Sequence, residues 1–174
     1  MIDYAFIQKL EGNSNKGYVP DLEHSNSGVT IASGFDLGAR RLSDLIGLPK
    51  PIIDKFTPYL GIKGADAQAK LESCPLILSD EECAKVNKFA HQEAEERLLD
   101  MWDGETPFND LSDRKQTVVA SVSFQYGHLP SRTPNFWQQV TSGEWDAAIK
   151  NLRNFGDRYP TRRNKEADYL EGKV

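Results

Sequence analysis

Cysteine is scarce: Cys74 and Cys83 are the only two in 174 residues, and their spacing matches neither a zinc site nor a thioredoxin-type motif. They read as free thiols, which behave mainly as small hydrophobes. A chain of this length hides most of its unfolded surface without disulfide or metal staples. His24, His91 and His128 stand far apart with no ligand cluster around them, so no metal and no other cofactor is expected. Positive charge is in deficit, 21 Lys and Arg against 26 Asp and Glu, for a formal net charge of -5. That balance argues against a nucleic-acid partner, whose footprint is a basic stripe. No apolar run approaches the ~18 residues of a membrane span, so no membrane partner is expected either. Met1-Ile-Asp-Tyr-Ala-Phe6 lacks the basic region, apolar core and small-residue cleavage site of a signal peptide. There is no internal repeat and no low-complexity tract. One domain over residues 1–174, acting as a monomer, is the expectation.

What is present is patterned. Asp3 is placed to cap a helix running to about Leu10, with Tyr4, Phe6, Ile7 and Leu10 at helical spacing and Gly12 ending the run. From Gly17 to Gly38 the signals change. Val19, Val29, Thr30 and Ile31 are β-prone while Asn13, Asn26, Gly28 and Gly34 punctuate, which predicts a small twisted hairpin sheet. Short helices are expected at about 42–48, 51–59 and 65–71. Ser79-Asp-Glu-Glu82 is a capping box opening the longest helix, about 80–102, whose Cys83, Val86, Ala90, Ala94, Leu98 and Met101 share a face. Only helices follow: one capped by Ser112, one opened by Pro134, one carrying Trp145 and Leu152, and one over about 161–171. The three tryptophans fall at core spacing. This order predicts an α+β architecture with a small β lobe at about 12–40 and a larger helical lobe from about 1–11 and 80–174. A long helix would join the lobes, with a cleft between them.

The chemistry concentrates near the N-terminus. Glu11 ends the first helix, beside an apolar wall of Phe6, Ile7 and Leu10. The Gly-rich segment after it delivers a threonine, Thr30, and a second carboxylate, Asp21 or Asp36. Two carboxyl groups in different environments are what hydrolysis of a glycosidic bond needs, one to protonate the leaving oxygen and one to handle water or the sugar cation.

Four motifs in one order carry a resemblance. Leu10-Glu11-Gly12, Gly17-Tyr18 with Asp21 and Val29-Thr30-Ile31, Val122-Ser-Phe-Gln-Tyr-Gly127, and Trp145-Asp-Ala-Ala148 with Tyr159-Pro-Thr-Arg-Arg163 resemble the phage-type lysozymes, and among them the pesticin-like muramidases. Residues 39–78 match that pattern poorly and read as an insertion. The resemblance implies Glu11 as catalytic acid and Thr30 as the residue lining the catalytic water. It implies Asp36, six positions after Thr30, as the second carboxylate, in preference to Asp21, which the phage pattern would use. It also implies Gln125 and Arg162 as substrate-side residues, with Arg162 at the position of an arginine paired with the glutamate.

The function so implied is a muramidase that hydrolyses the β-1,4 bond between N-acetylmuramic acid and N-acetylglucosamine in bacterial peptidoglycan. The alternatives are a lytic transglycosylase or chitinase on a related fold, and a wall-binding module without activity. Made in the cytoplasm, the protein would act in the periplasm or on a target cell wall, as a phage lysis enzyme or as a toxin domain. A toxin would add an immunity protein as a partner.

Overall fold

The computed structural model describes residues 1–24 and 26–174. It is α+β, 60% helical with one small antiparallel sheet. In chain order the elements are α1 (Tyr4–Glu11), β1 (Ser14–Tyr18), β2 (Thr30–Ala32), β3 (Phe35–Asp36), α2 (Lys50–Phe56), α3 (Gly64–Ser73), α4 (Asp80–Met101), α5 (Asp113–Tyr126), α6 (Leu129–Arg132), α7 (Pro134–Thr141), α8 (Trp145–Arg153) and α9 (Pro160–Glu171). The sheet runs β1-β2-β3.

The chain groups into two compact units, residues 11–90 and residues 1–10 with 91–174. The boundary at 90/91 falls inside α4. The core of the 11–90 unit gathers Val29, Ile31, Phe35 and Leu37 from the hairpin, Ile52 and Phe56 from α2, Leu71 from α3 and Cys83 and Val86 from α4. The second unit buries Ile7 of α1, Leu98 of α4, Val118, Val119 and Val122 of α5, and Phe136, Val140 and Leu152 from the helices beyond.

Local signals explain the ends of α1 and the start of α4. Asp3 Oδ1 accepts the Phe6 amide at 2.9 Å, and Gly12 stops α1 at φ 72°, a region that glycine enters without a Cβ clash. In the Ser79–Glu82 box, the Glu82 amide donates to Ser79 Oγ at 3.1 Å and the Ser79 amide to Glu82 Oε2 at 2.8 Å. Ser112 also precedes its helix, but its side chain makes no cap hydrogen bond. Helix α5 is buried all round over two turns, since Gln116 through Ser123 are all buried. Its polar members are satisfied: Gln116 Nε2 donates to Leu111 O at 2.7 Å, and Thr117 Oγ1 accepts the Asp3 amide at 2.8 Å.

The segment expected as a helix at 42–48 is a single 3-10 turn, Leu42–Leu45. The run from 51 to 59 is α2 followed by a 3-10 turn at Thr57–Tyr59, where Pro58 interrupts regular helix bonding. Cys83 lies in the core and Cys74 at the surface, both as free thiols. Among the described residues no helix is long and apolar enough to cross a membrane.

Candidate active site

The hairpin places two of the expected residues face to face. Thr30 of β2 pairs with Asp36 of β3, and with Tyr18 of β1 on its other side. Facing positions of an antiparallel pair present their side chains on one face of the sheet, with Cα atoms roughly 4.5–5.5 Å apart. The turn between them needs unusual backbone. Ala32 takes φ 54° and Gly34 φ 92°, and a non-glycine residue in that region is held there by its surroundings.

Asp36 is fixed by the backbone. Its Oδ1 accepts the amide of Gly28 at 3.0 Å and that of Gly38 at 2.8 Å. These glycines touch: a Cβ on Gly28 would lie 2.3 Å from the Gly38 Cα and 2.5 Å from Ile62 O. Only two residues without side chains allow the chain segments flanking the hairpin to approach this closely, and Asp36 holds the contact together through a single oxygen. Thr30 is buried, 4% exposed, and its Oγ1 donates to Gly28 O at 3.2 Å. A hydroxyl has one proton, so towards a water molecule Thr30 can only accept.

Glu11, half-buried, is the last residue of α1 and belongs to the same compact unit as Thr30 and Asp36. The chain just after it is tied to the hairpin turn. Ser33 Oγ donates to Gly12 O at 2.9 Å, the Ser33 amide donates to Asn87 Oδ1 at 3.0 Å, and Asn87 Nδ2 donates to Asn13 Oδ1 at 3.1 Å. Asn87 is 4% exposed, so this link runs through a buried amide of α4. Ser33 and Asn87 were not legible as site residues. The one signal was an asparagine one position from the apolar stripe of α4, where the other inward positions carry Cys83, Val86 and Ala90.

Asp21 is exposed at the start of a turn, at φ 44°. Its Oδ1 lies 3.0 Å from His24 Nδ1.

Gln125 and Arg162 come together in the other unit, around a buried ionic cluster. Arg163 and Glu166 are 1% and 0% exposed. Arg163 donates to Glu166 Oε2, to Gln125 Oε1 and, at 2.8 Å, to Asp157 Oδ2. Arg162 donates to Glu166 Oε1 at 3.1 Å and to Ser121 O at 2.9 Å. The Gln125 carbonyl thus accepts from Arg163, which leaves one lone pair and the NH2 group for other partners. Burial raises the Asp157 carboxyl, but the Tyr126 hydroxyl and the Arg163 guanidinium outweigh it and hold the group below the usual carboxylate range. Burial pulls Arg163 down, and Glu166 and Asp157 outweigh it in turn, so both partners stay ionised. The sequence carried a signal for this cluster in the i, i+3 and i, i+4 spacing of Arg163 and Arg162 to Glu166.

Comparison with known families decides the identity of the chain. The sequence model of the Pesticin family, described as the bacterial toxin homologue of phage lysozyme, C-terminal, matches residues 1–146. The chain belongs to the Pesticin family. Its α+β fold is lysozyme-like, and the matched range contains Glu11, Thr30, Asp36 and Gln125. It also spans residues 39–78, which read from the sequence as an insertion, and it ends before Arg162. No curated protein matches the sequence.

Proposed function

We propose that this Pesticin-family chain is a muramidase that hydrolyses the β-1,4 bond between N-acetylmuramic acid and N-acetylglucosamine. The observation that carries the reading is the tie from Gly12 to Ser33. It fastens the residue after Glu11 to the hairpin on which Thr30 and Asp36 face each other. A helix-end carboxyl group and the Thr30–Asp36 pair thereby belong to one compact unit, as positioning in catalysis requires.

In this mechanism Glu11 donates its proton to the glycosidic oxygen as the C1–O bond breaks. A water molecule donates one hydrogen to Thr30 Oγ1, whose own proton is given to Gly28 O. Asp36 accepts the other hydrogen as the water oxygen attacks C1 from the opposite face. The Asp36 carboxylate has acceptor capacity beyond its two backbone bonds. Attack by water gives inversion, so the product is the α-anomer. No step needs a cofactor. The family description as a bacterial toxin homologue favours a toxin acting on a target cell wall over a phage lysis enzyme.

Digestion of purified sacculi followed by mass analysis of the fragments tests the reading. Hydrolysis leaves reducing N-acetylmuramic acid ends. A 1,6-anhydro product would replace the hydrolase with a transglycosylase, and release of no fragment would leave a binding module.

A further inference from the structure

A second feature of the 1–10/91–174 unit lies outside the catalytic proposal. A pocket of about 290 Å³ opens where the end of α1 meets the start of α9, lined by Lys9, Leu10, Arg158, Tyr159, Arg162 and Lys165 among others. Four of its lining residues are cations and none is a carboxylate, in a chain with an excess of acidic groups. Arg162 is held in place by Glu166 and Ser121. Arg158 and Lys165 form no ion pair or side-chain hydrogen bond with any described residue, and Lys9 has only a through-space attraction to Asp3. Some surface cations elsewhere are neutralised, Arg153 by Asp168 and Glu171, Lys55 by Glu82 and Lys50 by Asp54; what sets this pocket apart is that four cations line it together with no carboxylate.

We infer that this pocket binds a carboxylate of the peptide stem that hangs from the muramic acid of the glycan. The inference rests on the muramidase reading for the identity of the polymer. Its volume is just below the ~300–1,000 Å³ of small-molecule sites, room for the end of a short acidic peptide segment. Tyr159, half exposed at 50%, offers that segment a flat apolar wall. Leu10 in the lining immediately precedes Glu11, the proposed acid, in the sequence. The pocket also answers an electrostatic difficulty. A chain of net charge -5 repels an anionic polymer at long range, and a local concentration of positive charge supplies attraction where contact is made.

The test is calorimetric titration of a soluble N-acetylglucosaminyl-N-acetylmuramyl tetrapeptide, alongside the same compound with its stem carboxylates converted to amides. The unmodified protein should bind the acidic compound more tightly than the amide by about tenfold or more. The triple variant Lys9→Gln, Arg158→Gln, Lys165→Gln should lose that preference. The charge-keeping variant Lys9→Arg, Arg158→Lys, Lys165→Arg should retain it, which separates lost charge from lost fold. Equal affinity for acid and amide, or an unaltered preference in the triple glutamine variant, overturns the proposal. Charge-dependent binding without cleavage of sacculi would uphold the pocket and remove the hydrolase. Cleavage without charge-dependent binding would do the reverse.

Discussion

Thr30 and Asp36 occupy directly opposed positions on β2 and β3, and both are anchored to Gly28, Thr30 through the carbonyl and Asp36 through the amide. One glycine thus sets the height of both side chains. The anchoring makes Asp36 a structural residue as well as a proposed catalytic one, and substitutions can separate the two roles.

Asp36→Asn keeps a carbonyl oxygen for the Gly28 and Gly38 amides but cannot take a proton from water. It should fold as the unmodified chain does and lose about 10²-fold or more in rate of sacculus digestion. Asp36→Ala should also lose about 1–3 kcal/mol of stability, because it strands two backbone donors. Asp21→Asn, at an exposed turn, should keep a substantial fraction of activity. Turbidity clearance with parallel thermal melts checks all three, and the reverse order of the two aspartates would move the site to Asp21.

Thr30→Ala should slow hydrolysis without changing the anomer, since water can still enter but is less well held. Proton NMR of fresh product reads the configuration before mutarotation. A β-product from the unmodified chain would contradict water attack. Thr30→Glu puts a carboxylate in the position of the water, and should give a trapped glycosyl-enzyme or a retained configuration.

Asn87 touches no proposed catalytic side chain, yet bridges Asn13 and Ser33. Asn87→Leu should cost about 1–3 kcal/mol, since the Ser33 amide loses its acceptor. Through the freed end of α1 it should lower kcat more than KM. Asn87→Asp, which keeps the acceptor for Ser33, should recover more activity than Asn87→Leu. Equal activity in the two variants would make Asn87 a packing residue only.

Stability should fall in acid through two carboxyls. Asp3 is held low chiefly by the Phe6 amide, and Asp157 by Tyr126 and Arg163 acting against burial. A depressed folded value means that the stabilisation is complete above the unfolded value of about 3.9 and is lost as pH drops through the folded one. Melting temperatures between about pH 5 and 2 should therefore decline less steeply in Asp3→Asn and Asp157→Asn than in the unmodified chain. Parallel curves would show that neither group is coupled to folding.

The helix caps at Asp3 and Ser79, the stop at Gly12 and the stripe of α4 were legible because each is decided within a few residues. Strand β1 was not. Ser14–Tyr18 has no apolar alternation and is held by distant partners, with the Gly17 amide donating to Leu76 O and the Leu78 amide to Asn15 O. The four-residue α6, with Pro130 in its first turn, is too short to show a period. In the site, residue types pointed to Glu11 and to a second carboxylate at Asp21 or Asp36, and the family resemblance, rather than local pattern, singled out Thr30 and Asp36. The Gly28–Gly38 contact that holds Asp36 depends on Ile62 and Lys63, from a segment that carried no recognisable motif. Gln125 reads as a sugar or hydrogen-bond partner, and the bond it accepts from the buried Arg163 was not legible, because the two residues lie far apart in the sequence.

Glu11 is the proposed proton donor, and Glu11→Gln tests that role most directly. Glutamine preserves the shape of the helix end and cannot deliver a proton, and general acid catalysis is worth about 10²–10⁴-fold. The measurement is the rate at which reducing ends appear from purified sacculi, with the melting temperature recorded on the same samples. A fall within that range at an unchanged or raised melting temperature is the predicted result. Retention of more than about a tenth of the unmodified rate, below the smallest loss that removal of a general acid causes, would contradict the assignment.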